Sequence, residues 1–275
     1  MTTRPETLQN TYTHGHHESV LRSHRWRTAE NSAAYLLPHI QAGQSVLDVG
    51  CGPGTISADL AARVAPGTVT AVEITAEALK LAQEEAERRG TENIRFAVAD
   101  VHALDFPDDT FDVVHAHQVL QHVADPVRAL KEMRRVCKPG GIVAVRDSDY
   151  GGFRWFPESP VLDQWLANYQ TLARSNDGHP DAGRRLRSWA LEAGFPADDV
   201  TSSASSWVFA DDADLKWWTD LWADRTTKST AAEQYVAKDI ASAPALTAIA
   251  EGLREWATRE GAWFNVVHGE IICVA

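Results

Sequence analysis

Strand-like and helix-like patterns alternate five times within about 120 residues of this chain, beginning at "SVLDVG" (45–50). No other feature limits its folding so severely. The buried-strand runs are "SVLDVG", "TVTAVEI", "NIRFAVAD", "FDVVHAHQVL" and "GIVAVRDS". Helical spacing follows at 56–64 and at 76–89, where Thr75 can cap, Ala78, Leu79, Ala82 and Ala86 share a face, and Gly90 stops the helix. Asp125 and Pro126 start another helix that ends at "KPGG". Upstream, residues 31–40 suit a helix with Asn31 or Ser32 as its cap. Helical crossovers of this length return the chain in parallel, so the pattern predicts an open parallel sheet with helices on both faces. Ligands then bind at the carboxyl ends of its strands.

What binds there is constrained by the loop "GCGPG". A dinucleotide fingerprint needs its third glycine where this chain has Thr55, and Pro53 removes a backbone donor that a phosphate would use. No Lys-Ser or Lys-Thr pair closes a Walker loop, and no basic residue lies between Asp48 and Ala62. The loop permits close approach yet is poorly equipped for an anion. Acids, by contrast, gather at the strand ends: Asp48 before the loop, Glu73 after the second strand, Asp100 after the third. In a parallel sheet all three face one edge. Glu73 lies about twenty residues beyond the loop, where an acid can grip a ribose diol. Asp100 can accept from an adenine amino group, with the Val101 amide offered to the ring, and Asp48 can meet an ammonium. Singly, each acid reads as a solvated loop residue or a helix cap; together they describe a cationic nucleoside.

These segments, "VLDVGCGPG", the acid of "AVEIT", "VADVHAL", "FDVVHAHQVLQHV" and "KPGG", resemble the successive motifs of class I S-adenosylmethionine-dependent methyltransferases. The ubiquinone/menaquinone-biosynthesis-like (type 11) small-molecule group is the nearest in pattern, and the resemblance covers residues 42–147; "AGRRLRSWALEAGF" adds weaker support. It implies a Rossmann-like, doubly wound α/β sheet of seven strands, the last antiparallel. It also implies that Gly50 and Gly52 lie against the methionine part, Glu73 holds the ribose, and Asp100 with Val101 holds the adenine, with Asp48, Gly54 and Ile74 as further cofactor-binding residues. His117 and Gln118 would lie near the methionine and its transferable methyl. N-terminal segments in this group often close over the cofactor, which makes Tyr12, Arg22 and Arg25 expected lid contacts.

Methyl transfer needs an aligned nucleophile and a dry site, and a general base only where the acceptor still carries its proton. His115 and His117, two apart on a strand, face the same way, and His122 follows five residues later. A metal triad is the weaker reading of these, and no metal is expected. His117 reads better as part of the acceptor pocket and as the candidate base, with His122 a lesser candidate. The histidines at 14, 16 and 17 read as a solvated arm. Cys51, in the loop, reads as a packing residue rather than a nucleophile.

The second half has a different composition: nine of the ten tryptophans follow residue 150. The chain divides into an arm at 1–30, a cofactor-binding core at 31–150, and a remainder at 151–275 with a helical insertion near 211–261 between two final strands. In "DLKWWTDLWADR", Leu215, Trp218 and Trp222 share a helical face. Such a face is ordinarily core. As a cap over an aromatic acceptor, it would present Trp155, Trp218, Trp222 and Trp263.

A net charge of −12 disfavours nucleic acid and anionic membranes as partners. Three cysteines without paired spacing, and no apolar stretch resembling a signal peptide, predict a cytoplasmic protein without membrane insertion, a monomer or homodimer. The expected activity is methyl transfer from S-adenosylmethionine, leaving S-adenosylhomocysteine, to a small organic acceptor at oxygen or carbon. The alternative is a non-methylating cyclase or a cofactor-gated binding protein on the same fold.

Overall fold

The computed structural model describes residues 18–275. In chain order its elements are α1 Glu18–Arg25, α2 Ala29–Ser32, β1 Ser45–Val49, α3 Thr55–Val64, β2 Thr68–Glu73, α4 Ala76–Arg89, β3 Ile94–Val98, β4 Phe111–His117, α5 Pro126–Val136 and β5 Cys137–Ser148. Then follow β6 Arg154–Phe156, α6 Pro160–Ser175, α7 Leu186–Glu192, β7 Val200–Phe209, α8 Asp212–Lys228, α9 Thr230–Ala237, α10 Ala243–Trp256 and β8 Trp263–Val274.

Two helices of the parallel half begin where a side chain takes up an orphan amide. Thr75 accepts from the Ala78 amide at 3.2 Å and Asp125 from the Arg128 amide at 2.9 Å, with Pro126 at the first helical position. The 31–40 stretch differs from expectation. Thr28, not Asn31 or Ser32, caps α2, which ends at Ser32; a separate 3-10 turn spans Leu37–His39. Pro38 explains the break, since it lacks the amide that a continuous helix would require.

The sheet order is β3-β2-β1-β4-β5-β8, parallel through β5 and antiparallel at β8, and β7 then pairs antiparallel with β8. This is the doubly wound arrangement, with one addition. The short β6 pairs with Trp263–Asn265 of β8, making eight strands rather than seven. The link from β3 to β4 carries no helix. It crosses from the sheet edge to the centre, and that reversal of winding direction is where a doubly wound sheet leaves its ligand crevice.

Alternation along β1 distributes the core. Leu47 and Val49 pack with Leu130, Met133 and Trp189 on one face, and Val46 with Leu60, Val64 and Leu36 on the other. The tryptophans build a second core. Trp165, Trp218, Trp222 and Trp256 pack with Phe209, Phe264 and Tyr169 between α6, α8, α10 and the starting half of β8. Trp165 meets Trp222 edge-on at 4.7 Å, and Phe209 stacks on Trp218 at 4.7 Å. Trp155 stacks on Phe264 at 5.7 Å. No helix among the described residues is long and apolar enough to cross a membrane.

Candidate active site

The carboxyl ends of β1, β2 and β4, with the loop after β3, enclose a cavity of about 320 Å³. Gly50 and Gly52 form its floor. The Gly50 and Cys51 amides both donate to the Val72 carbonyl, at 2.9 and 3.1 Å, which pins the loop to β2. Gly50 has φ +66°, and a Cβ there would stand 2.5 Å from Cγ2 of Val119, so bare backbone is required. Gly54 does something else. It lies outside the cavity lining, caps α3 at φ +77°, and a Cβ on it would meet the Cα of Ala82 at 2.9 Å. It packs α3 on α4, and the cavity lining gives the expected cofactor contact at this glycine no support.

Glu73, Ile74, Asp100 and Val101 all line the cavity. Glu73 reaches to the glycine loop, where Oε1 accepts from the Gly52 amide at 2.8 Å and Oε2 from the Ile74 amide at 3.1 Å. Ile74 is 54% exposed, an apolar flank beside that carboxylate. Asp100 is held at Oδ1 by the amide of His102 at 2.9 Å and by its ring Nδ1 at 2.8 Å. Oδ2 remains for another donor. Asp48 also lines the cavity, but its carboxylate is engaged within the protein. Ser57 Oγ donates to Oδ2 at 2.5 Å and His115 Nδ1 pairs with Oδ1 at 2.8 Å. Its observed role is to tie β1 to α3 and β4, which narrows the expected ammonium contact to one through the remaining lone pairs.

His115 and His117 share a face of β4, as their spacing requires, and only His117 reaches the cavity. Neither of its ring nitrogens has a hydrogen-bond partner among the described residues. Burial, reinforced by the charges of Arg27 and Arg146, holds the His117 ring well below the ordinary imidazole range. His122 lines the cavity too, on the 3-10 turn Leu120–His122, and its Nε2 lies 2.9 Å from Nε2 of Gln121. Burial first, then Arg27 and Arg225, push it down to about 3. An imidazole with so acidic a conjugate acid is a poor proton acceptor at neutral pH, which weakens the expected catalytic role for His122. Among the described residues no three His, Cys, Asp or Glu side chains are grouped to hold a metal ion.

Gln118 turns the chain off β4 with φ +56°, a left-handed conformation that is strained for a residue with a side chain. Four hydrogen bonds hold it: its amide N–H donates to the Arg146 carbonyl at 2.7 Å, Oε1 accepts from Arg27 Nη2 at 2.6 Å, and Nε2 donates to Ser148 Oγ at 2.8 Å and to Nε2 of the buried His268 at 2.9 Å. The following turn is fixed by Asp147, which accepts from the Leu120 and Gln121 amides at 3.3 and 3.1 Å. Burial pushes the Asp147 carboxyl up to about 7.

Three basic residues on the opposite wall were not expected from the sequence: His24, Arg27 and Arg225. Arg225, on α8, lies over the Trp222 ring at 4.9 Å and donates to Ser23 Oγ, and it is 6% exposed. The only local signal was an arginine one helical turn beyond a core tryptophan. Arg25 is exposed and outside the cavity lining, whereas Arg27 is part of it. Arg22 pairs with Asp224 at 3.3 Å. Tyr12 and the histidines at 14, 16 and 17 lie outside the described residues. Trp155, Trp218, Trp222 and Trp263 are also absent from the cavity wall. The helical insertion reaches the site through Arg225 instead; Trp218 and Trp222 are core, Trp155 packs half-buried against them, and Trp263 is half-buried at the start of β8.

A doubly wound sheet with this strand order, a bare glycine loop without a phosphate partner, and carboxylates after the second and third strands defines the class I S-adenosylmethionine-dependent methyltransferases. Comparison with known proteins agrees. The "Methyltransferase domain" family model matches residues 40–193. An uncharacterized methyltransferase of Schizosaccharomyces pombe is 36% identical over 274 residues, 97% of each chain. A ubiquinone/menaquinone biosynthesis C-methyltransferase of Bdellovibrio bacteriovorus is 42% identical over 105 residues, 38% of this chain and 44% of that one. Among solved structures, phosphoethanolamine N-methyltransferase 2 of Haemonchus contortus, in complex with S-adenosyl-L-methionine, matches with TM-score 0.55 at 19% identity, over 88% of this chain and 51% of that one. The [4+2]-cyclase SpnF matches with TM-score 0.52 at 20% identity, over 91% and 79%. The chain belongs to the methyltransferase-domain family, and its cofactor is S-adenosylmethionine. The residues present fit that group: a glycine that tolerates no Cβ, Asp100 with one uncommitted oxygen, and an apolar flank at Ile74.

Proposed function

We propose that this protein methylates a small organic acceptor, at oxygen or carbon, in the cavity at the carboxyl edge of its sheet. Bound there, S-adenosylmethionine supplies an electrophilic sulfonium methyl. The observation that carries the reading is the meeting of Gly50, Glu73 and Asp100 around one cavity. Glu73, oriented by the Gly52 and Ile74 amides at the cavity wall, accepts from the ribose hydroxyls. Asp100 accepts from the adenine amino group through Oδ2, and the Val101 amide faces the ring edge. Gly50 and Gly52 admit the methionine chain. His117 and Gln118 border the transferable methyl and orient the acceptor, and the apolar walls at buried Val49 and Val123 and half-buried Val119 exclude water.

Three buried free cysteines, Cys51, Cys137 and Cys273, suit a reducing compartment, and we place the protein in the cytoplasm. Titration of S-adenosylhomocysteine by calorimetry tests the cofactor assignment. One-site binding is expected, and no heat with either S-adenosylmethionine or its product would defeat it. A second reading, a cyclase on the same fold, draws on His117 and His122 both being held neutral. Conversion of an acceptor without gain of a methyl would favour it.

A further inference from the structure

The loop after β3 is built around a side chain that lies outside the cavity lining, His102. Asp100, Val101, His102 and Ala103 form a tight turn, closed by the Ala103 amide donating to the Asp100 carbonyl at 3.0 Å. The Asp100 carboxylate folds over its own turn, and Oδ1 takes both the His102 amide at 2.9 Å and the ring Nδ1 at 2.8 Å. These bonds use the amides of His102 and Ala103 and not that of Val101. No helix follows β3, so α5 supports the loop from outside. Arg128 Nε donates to the His102 carbonyl at 2.9 Å, and Glu132 Oε2 accepts from the Leu104 amide at 3.0 Å.

His102 is 2% exposed. A carboxylate only accepts, so Nδ1 carries a ring hydrogen and Nε2 is turned away from Asp100. Nε2 is buried and has no hydrogen-bond partner among the described residues. An apolar side chain of similar size would fill the same space without the cost of an unpaired nitrogen. Packing alone is therefore a poor reason for an imidazole at this position, and its bond to Asp100 is what an apolar side chain could not replace. That bond also stops the carboxylate from turning, because rotation would break two hydrogen bonds at once. Oδ2 is the oxygen left for a ligand.

We propose that His102 is a positioning residue for recognition of the base: by holding Oδ1 it presents Oδ2 as a fixed acceptor, and the site thereby selects adenine over hypoxanthine. This rests on the placing of adenine at Asp100 and names the residue that sharpens the choice of base. Adenine offers an exocyclic amino donor and, beside it, a ring nitrogen with a lone pair, which match Oδ2 and the Val101 amide. Hypoxanthine reverses both, with an oxo group and a ring N–H, so acceptor meets acceptor and donor meets donor. A carboxylate free to rotate could turn away from that clash, whereas one held by His102 cannot.

Calorimetry on the full chain compares S-adenosylhomocysteine with its hypoxanthine analogue, S-inosylhomocysteine. The unmodified chain should prefer the adenine compound by about 100-fold. His102→Phe keeps a buried ring and loses the donor, and its preference should be about tenfold smaller. His102→Asn keeps an N–H donor close to the place of Nδ1 and loses the ring. It should retain most of the preference even where its thermal unfolding midpoint drops. Preference lost in His102→Asn but kept in His102→Phe, or no preference in the unmodified chain, overturns the proposal. Asp100→Ala separates the two levels of the account. If it abolishes the preference and His102→Phe does not, adenine stays at Asp100 and His102 is not its support. If it too leaves the preference unchanged, the placing of adenine has failed and the proposal falls with it. No binding of either compound by the unmodified chain is a failure of the cofactor assignment itself. Should His102→Phe not fold, hydrogen–nitrogen correlation spectra of the imidazole rings in the unmodified chain decide, with the His102 signals identified by their absence from His102→Asn. Hydrogen on Nδ1 is expected, and hydrogen on Nε2 alone overturns the proposal.

Discussion

The two ends of the cavity are built in opposite ways. The acidic end comes from consecutive strand termini, Asp48, Glu73 and Asp100, each delivered to the same edge by the sheet itself. The basic end comes from Arg27, before the first strand, and Arg225, on a helix between the last two, brought together by packing alone. Local order in the sequence therefore exposes the acidic end, and long-range convergence hides the basic one. We associate the first with the cofactor and the second with the acceptor, a division that experiments can break or sharpen.

The largest expected effect is on stability and concerns the basic end. His117 and His122 of the cavity, and His268 buried behind them on β8 beside Arg146, are all held neutral in the fold by burial and nearby arginines, so the folded state binds fewer protons than the unfolded chain. Their contribution is complete above the ordinary imidazole value of 6.5 and is lost as the pH falls below it, by up to about 1.4 kcal/mol per pH unit for each ring. Asp147, raised from 3.8 to about 7, opposes this: its folded state keeps a proton that the unfolded chain gives up, so its contribution declines as pH rises through that interval. Three rings against one carboxyl predict that urea unfolding midpoints fall on acidification from pH 6.5 to 5. A flat profile would refute the neutral basic end.

At the acidic end, Gly50→Val forces a β-branched residue to φ +66° against Val119. It should cost about 1–3 kcal/mol of stability and take S-adenosylhomocysteine binding below detection. Retained affinity would show that the floor of the cavity is not a ligand contact. Glu73→Ala should weaken S-adenosylhomocysteine by about 1–3 kcal/mol, the cost of leaving polar partners unmet. Tyr150 lines the cavity and is hydrogen-bonded to Tyr169, and Tyr150→Phe gives the smallest change. Loss of one hydrogen bond at the basic end should reduce acceptor kcat/KM by about 0.5–1.5 kcal/mol in transition-state terms, with cofactor affinity unchanged. A fall in cofactor affinity instead would blur the division between the ends.

The legibility of the sequence follows the same division. Glu73 and Asp100 were readable because a parallel sheet sends every strand terminus to one edge, whatever the side chains beyond it do. Gly54 shows what a motif leaves open, since a glycine needed for helix packing is indistinguishable from one beside a ligand until α4 is in place. The tryptophan spacing declared buried helices but not their neighbours, and Trp218 and Trp222 proved to face each other's core rather than the cavity. Pro38 carried the signal that residues 31–40 are not one helix, outweighed there by periodicity. Residues 154–156 are too few to show alternation, which is why β6 escaped notice. Arg27 and Arg225 had no local signal comparable to a motif.

The most direct measurement is calorimetric titration of S-adenosylhomocysteine into the full chain and into Glu73→Ala. The account predicts one binding site on the unmodified chain and an affinity about 5- to 150-fold lower in the variant. Absence of binding to the unmodified chain, or equal affinity in the two proteins, would contradict it.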